Sequence, residues 1–222
     1  MANKSLLLLA IALFGTSSAL RCSDHLLSLK ADDFNAEDGA AYDASSCTAA
    51  FSSFEKHLPH VHTLINEHLT QSFLYSIMAS HFETDMENRL GFAKYMDKLA
   101  DDMWKDSVEL IKYAGKRGFG IAPTETSAGL KVTDLSVGIK PWTEVEALAL
   151  ALDNHHGLAN KVHQLHNSVK DAALGDFLED QFVSDHVDRI RELSGHLTNL
   201  VPMVQDPTSK DLALYLYDQS LA

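Results

Sequence analysis

Positive charge is scarce in this chain: 18 Lys and Arg stand against 31 Asp and Glu, a formal net charge of −13. Such a balance disfavours nucleic acid and anionic membrane surfaces as partners and suits cations. Long apolar runs are missing too. The run Leu6 to Phe14 is too short to cross a bilayer, and no later segment is apolar enough to span one. Lys4 ahead of that run and Thr16-Ser17-Ser18-Ala19 behind it predict a cleaved secretion signal over residues 1–19. Its loss removes one positive charge, Lys4, so −13 becomes −14. The mature protein is therefore expected to be secreted or to reside in the secretory-pathway lumen, with no membrane span. No Asn-x-Ser/Thr site remains beyond the signal, so N-glycosylation is not expected. Cysteine is almost absent: Cys22 and Cys47 both precede the helical part. An oxidising lumen favours a disulfide, within the chain or to another subunit, over two free thiols.

About 200 residues follow the signal, enough for one domain with a full core. Residues 20–53 mix small, acidic and turn-forming residues such as Asp38-Gly39, and read as an N-terminal extension. From Leu58 to His81 a stripe of Val61, Ile65, His68, Ser72, Tyr75 and Ala79 recurs at helical spacing, with Pro59 suited to a first turn. A second helix over Met86 to Arg117 stops at Gly118-Phe119-Gly120, and residues 119–141 carry no helical stripe. The third, Glu144 to Ser168, presents Leu148, Leu152, His155, Leu158, Val162 and Leu165 on one face. The fourth, Asp171 to Val201, presents Phe182, Val183, His186, Ile190, Leu193 and Leu197. Pro202 and Pro207 are expected to break the chain before a short apolar helix, Asp211 to Leu221. Four long helices with short turns inside each pair and one long link between pairs predict an all-α four-helix bundle with a long crossover, a short fifth C-terminal helix and the N-terminal extension. There is no internal repeat and no low-complexity tract.

His68, His155 and His186 sit on the apolar stripes of three different helices, with Tyr75 seven residues from His68 on the same face. Inward side chains on facing helices are how bundle cofactor sites are built. Unpaired imidazoles are costly to bury, so these should find one another, a carboxylate or a metal. A hydrogen-bonded core cluster without an ion is the plainer alternative.

Asp176-Phe177-Leu178-Glu179, followed by His196-Leu197-Thr198-Asn199-Leu200 and taken with Phe92-Ala93-Lys94-Tyr95, resembles a ferritin subunit over Phe54 to Leu221. With its secretion signal the chain is similar to the secreted ferritins of invertebrates, and among them to a light-type subunit. The resemblance implies a ferritin-like domain over 54–222. It lays His68, Tyr75, Met103, Asp106, His155 and His186 over the ferroxidase positions, which iron-oxidising subunits fill with glutamates, a histidine, a tyrosine and a glutamine. Only Tyr75 is retained. Ferric iron prefers hard anionic oxygen, and here a thioether and neutral imidazoles replace bridging carboxylates, so this subunit is expected not to be a ferroxidase enzyme. The same imidazoles with Asp106 offer an alternative, a Zn(II) site or an atypical His-rich oxidase centre.

The resemblance also assigns the acidic residues. Asp97, Asp101 and Asp102 match cavity-facing carboxylates that bind Fe(III) and seed the mineral, although on spacing alone they read as a solvated face, with pairs such as Lys98–Asp102 and Asp101–Lys105. Asp176 and Glu179 match a pair that draws Fe(II) through a threefold channel, and complementing a helix dipole is their plainer role. His166 corresponds to a third channel residue if the short link before the fourth helix allows it. The last helix would pack around a fourfold axis of a 24-subunit shell, or dock on its own bundle. The implied function is storage of iron as a ferric mineral, with heavy-type subunits in the same shell supplying oxidation.

Overall fold

The computed structural model describes residues 47–121 and 142–221. The expected signal, Cys22, most of the extension and residues 122–141 of the long link lie outside the described residues. Cys47 is not a free thiol. The compact unit that carries the helices begins at Ala50.

Helix α1 is Phe54–Glu83, α2 is Leu90–Lys116 and α3 is Glu144–Ser168. The fourth rod starts as α4, Ala172–Leu178, passes through a π-helical stretch over Glu179–Val183, and continues as α5, Ser184–Val204. A short α6, Lys210–Leu221, closes the chain. The all-helical bundle with a short C-terminal helix is the architecture expected. Helix α1 pairs with α2, α3 with α5, and α6 packs on both α2 and α5. Between them Phe82, Phe92, Met96, Leu110, Leu148 and Leu193 are fully buried. Each such side chain contributes about 1.5–3 kcal/mol of apolar burial.

Local chemistry explains most of the ends. Helix α2 terminates in a Schellman turn: Gly118 takes φ 84°, its N–H reaches the Gly115 carbonyl at 3.0 Å, and the Phe119 N–H reaches Ala114 at 3.0 Å. Helix α3 opens with a capping box between Thr143 and Glu146. Helix α1 starts earlier than Pro59 suggested. It begins at Phe54, which leaves Pro59 inside the helix, on an exposed face where water can satisfy the carbonyl it frees. Pro202 does not break the fourth rod, contrary to expectation. It lies in the closing turn of α5, where few hydrogen bonds remain to be lost.

The π stretch follows from spacing. Leu174, Leu178, Phe182 and His186 are all buried at intervals of four residues, whereas an α-helix turns in about 3.6. One wider turn absorbs the difference and keeps all four facing inward.

Helix α6 docks on its own bundle. The buried Asp218 carboxylate accepts from the Gly91 and Phe92 N–H groups at 2.8 and 3.0 Å and so caps α2 from outside. Gly91 is required there: a Cβ would lie 1.8 Å from the Asp218 carbonyl oxygen. Leu214 and Tyr217 are buried, while Leu212, Tyr215 and Leu216 remain exposed.

At the far end of α2, Arg117 is only 4% exposed and pairs with Asp171, 1% exposed, through two hydrogen bonds of 3.0 and 2.7 Å. Arg117 also donates to the Phe51 carbonyl and Tyr113 hydroxyl and lies over the Phe51, Phe54 and Tyr113 rings. Asp171 in turn caps α4 through the Leu174 N–H at 3.0 Å. The Arg117 guanidinium holds the Asp171 carboxyl well below the usual carboxylate range. Arg117→Met should therefore destabilise the subunit by about 3–5 kcal/mol at neutral pH, because a buried carboxylate loses its partner. A depressed folded pKa contributes stability above the unfolded value and loses it as pH falls. Urea unfolding should thus show the gap between wild type and variant shrinking below about pH 4.

Candidate functional site

The four rods converge on a cluster of rings at mid-bundle. His68 and Tyr75 come from α1, His155 from α3 and His186 from α5, all 1% exposed or less, and Met103 of α2 is fully buried too. His68 and His186 ring centres are 6.0 Å apart, as are those of His155 and His186, and Tyr75 stacks on His155 at 5.9 Å. The structure thus brings together the sequence-predicted inner residues. His68 Nδ1 donates to the Leu64 carbonyl at 2.7 Å, which leaves its Nε2 as an acceptor. That atom and both ring nitrogens of His155 and His186 have no hydrogen-bond partner. The Tyr75 hydroxyl lies 3.4 Å from Gln71 Oε1 and 3.5 Å from the Ala151 carbonyl.

Burial drives the His68 imidazole down to about 4 and His155 and His186 to about 3, with the Arg189 charge adding to the effect. The cluster is neutral at physiological pH.

Asp106 of α2 is not a free ligand. Arg189 of α5 donates to its Oδ2 at 2.5 Å, and His68 Nε2 stands 3.9 Å from the same oxygen. Burial pushes the Asp106 carboxyl up, and the Arg189 hydrogen bond opposes that shift. Arg189 was not singled out in the sequence. The available signal was an arginine three residues after His186 on an inward stripe, with Asp185 one turn before it. As placed, no three His, Cys, Asp or Glu side chains among the described residues are grouped to hold a metal ion.

Asp97 and Asp101 are exposed on α2, which fits the solvated face read from spacing as well as the cavity-facing role that the resemblance implies. Asp102 is half-buried and turned toward Arg189 Nε at 3.9 Å. Lys98 reaches across to Glu192 of α5 at 3.2 Å rather than along its own helix to Asp102.

The acidic motif at the head of the fourth rod divides its labour. Phe177 stacks on Tyr113 with centroids 3.9 Å apart and Leu178 is fully buried, so the two middle residues anchor the turn. Asp176 and Glu179 remain exposed. His166, near the end of α3, places Nε2 3.6 Å from Glu179 Oε2, so the third residue suggested for this group does lie beside it.

A four-helix bundle with a docked fifth helix, an inner polar cluster fed by every rod and an acidic pair heading the fourth defines the ferritin-like class. A profile of the ferritin-like domain matches residues 60–220, and the chain belongs to the ferritin family. It is 32% identical over 197 residues to the ferritin light chain of Drosophila melanogaster, covering 82% of this chain and 83% of that one. It is 29% identical over 191 residues to the ferritin light chain of Trichoplusia ni, covering 79% and 80%. The crystal structure of Trichoplusia ni secreted ferritin superimposes with a TM-score of 0.72 at 27% identity, covering 90% of this chain and 97% of that chain.

The neutral imidazoles make a pH prediction. Unfolded histidines bind protons below about 6.5 while these three stay neutral to much lower pH, so acidification favours the unfolded chain. Stability should fall from about pH 6.5 toward pH 4, each histidine adding up to about 1.4 kcal/mol per pH unit. Urea midpoints of wild type and His186→Leu measured from pH 7 to 4.5 check this. The variant should show a shallower acid slope, and an equal slope contradicts a neutral His186.

Proposed function

We propose that this chain is a secreted, light-type ferritin subunit: it builds the shell that stores iron as a ferric mineral and leaves Fe(II) oxidation to a heavy-type partner. The observation that carries the reading is the inner cluster, in which neutral imidazoles and a thioether stand where an oxidising subunit needs carboxylates, and the single carboxylate, Asp106, is already ion-paired. Membership of the ferritin family supports the storage role. The likeness to a secreted ferritin and the signal-like N-terminus support secretion, and no helix among the described residues is long and apolar enough to cross a membrane. Iron is the cargo, Fe(II) in transit and Fe(III) in the mineral. On this reading twenty-four subunits form the shell, in which the exposed Leu212, Tyr215 and Leu216 of α6 meet other copies. Asp176 and Glu179, with His166 beside them, focus Fe(II) at a threefold entry by their summed charge. Asp97 and Asp101 supply hard oxygen for Fe(III), with Asp102 at the edge of that group.

Two measurements test the reading. Homomeric protein mixed with Fe(II) in a stopped-flow instrument should oxidise it no faster than buffer alone. A fast saturable phase abolished by His155→Ala overturns the light-type assignment. In mixed shells, Asp176→Asn with Glu179→Gln should slow iron loading several-fold and leave assembly intact, since removing two carboxylates per subunit weakens the focusing field. Loading at the normal rate removes the entry role from this pair.

A further inference from the structure

Where α6 meets α2 and α5, three side chains stand in line: the Glu192 carboxylate, the His196 imidazole and the Tyr217 phenol. The Tyr217 oxygen lies 2.8 Å from His196 Nδ1 and 3.2 Å from the His196 carbonyl oxygen, while Glu192 Oε1 stands 3.8 Å from Nε2 across the ring. The carboxylate decides the tautomer. A proton on Nε2 faces Glu192 favourably, whereas a bare Nε2 would set two acceptors against each other, so Nδ1 is left to accept the phenol O–H. Burial holds His196 below its ordinary pKa despite the pull of Glu192, which keeps Nδ1 free to take a proton at neutral pH. Tyr217 is only 9% exposed, with the Phe92 ring stacked on it at 6.0 Å.

No other tyrosine among the described residues is hydrogen-bonded to an imidazole. Tyr75 has only an amide and a peptide oxygen at 3.4 and 3.5 Å, Tyr113 accepts from the Arg117 guanidinium, and the buried Tyr95 hydroxyl has no partner. A phenol that loses an electron becomes a strong acid, so the loss is easiest where a positioned base receives the proton. We propose that Tyr217 is the preferred one-electron donor of this chain, a sink for radical oxidants in which His196 accepts the phenol proton and Glu192 faces the imidazolium that forms. With hydroxyl radical, the oxidant that ferrous iron and peroxide generate, one electron passes from the phenol to the radical, which leaves as hydroxide. The Tyr217 O–H bond breaks and its proton makes an N–H bond at His196 Nδ1. Hydroxide, a neutral phenoxyl radical and an imidazolium result, so charge is conserved. The inference goes beyond the storage reading, which supplies a source for the oxidant but none of the geometry.

The test needs no iron. Azide radicals made by pulse radiolysis remove single electrons from metal-free assembled protein, and freeze-quench electron paramagnetic resonance reads the phenoxyl signal. Wild type should carry this signal and form it more slowly in D2O. Tyr217→Phe keeps the ring against Phe92, loses only the hydroxyl, and should lose most of the signal. His196→Gln should lower the yield several-fold with circular dichroism unchanged, a fall that a purely structural hydrogen bond would not produce. Glu192→Gln, at the exposed end of the line, should lower it to a lesser degree. No phenoxyl signal in wild type, or an undiminished one in Tyr217→Phe or in folded His196→Gln, overturns the proposal. If His196→Gln does not fold, an undiminished signal in Glu192→Gln overturns it instead. Each of these outcomes leaves the storage reading, which is tested with iron, where it stands.

Discussion

A guanidinium that is almost wholly enclosed by protein must keep a carboxylate beside it, and Arg117 meets this constraint with Asp171. Its consequences spread along the chain. The pair fixes the residue that caps the end of α2 to the one that caps the start of α4, and the Phe51 carbonyl ties in the segment leading into α1. Tyr113, which accepts from Arg117, is also the ring on which Phe177 stacks. The aim of Asp176 and Glu179 thus depends on a contact that neither residue makes. The pair serves geometry more than raw stability, because desolving two charges costs several kcal/mol that their attraction must first recover.

Arg189 repeats the device in the middle of the bundle with a different result. Arg117 bonds one carboxylate and three ring faces, and the outcome is a rigid corner. Arg189 faces three carboxylates, and the outcome is charge balance in a place where the bundle would otherwise gather negative charge. Two arginines in similar burial thus divide between positioning and neutralisation according to what surrounds them. The positioning role does not survive exchange for lysine, whose point charge cannot address several acceptors at fixed angles, whereas the neutralising role asks only for charge.

Much of the architecture was legible in the sequence because it rests on local rules. The Glu144–Ser168 helix carries its own capping box, and Gly118 announces the end of α2. The inner cluster was legible from stripes: His68, His155 and His186 each occupy a buried position on a different helix. What escaped depended on relations between elements. Pro202 reads locally as a breaker, yet α5 is held by its packing through to Val204. Asp102 reads as a member of an acidic face and Asp106 as an inner residue free to act as a ligand until Arg189 is brought opposite both by the fold. The π turn could have been found, since the four-residue spacing from Leu174 to His186 is too long for an unbroken α-helix to keep on one side.

The cap that Asp218 places on α2 bears on when this end of the molecule forms. The capping residue stands 127 positions after Gly91. A chain emerging from the ribosome can wind α1 and α2 early, but the cap on the Gly91 and Phe92 N–H groups of α2 is missing until residue 218 has been made. This corner therefore closes late, after all four rods are in place to receive the short helix.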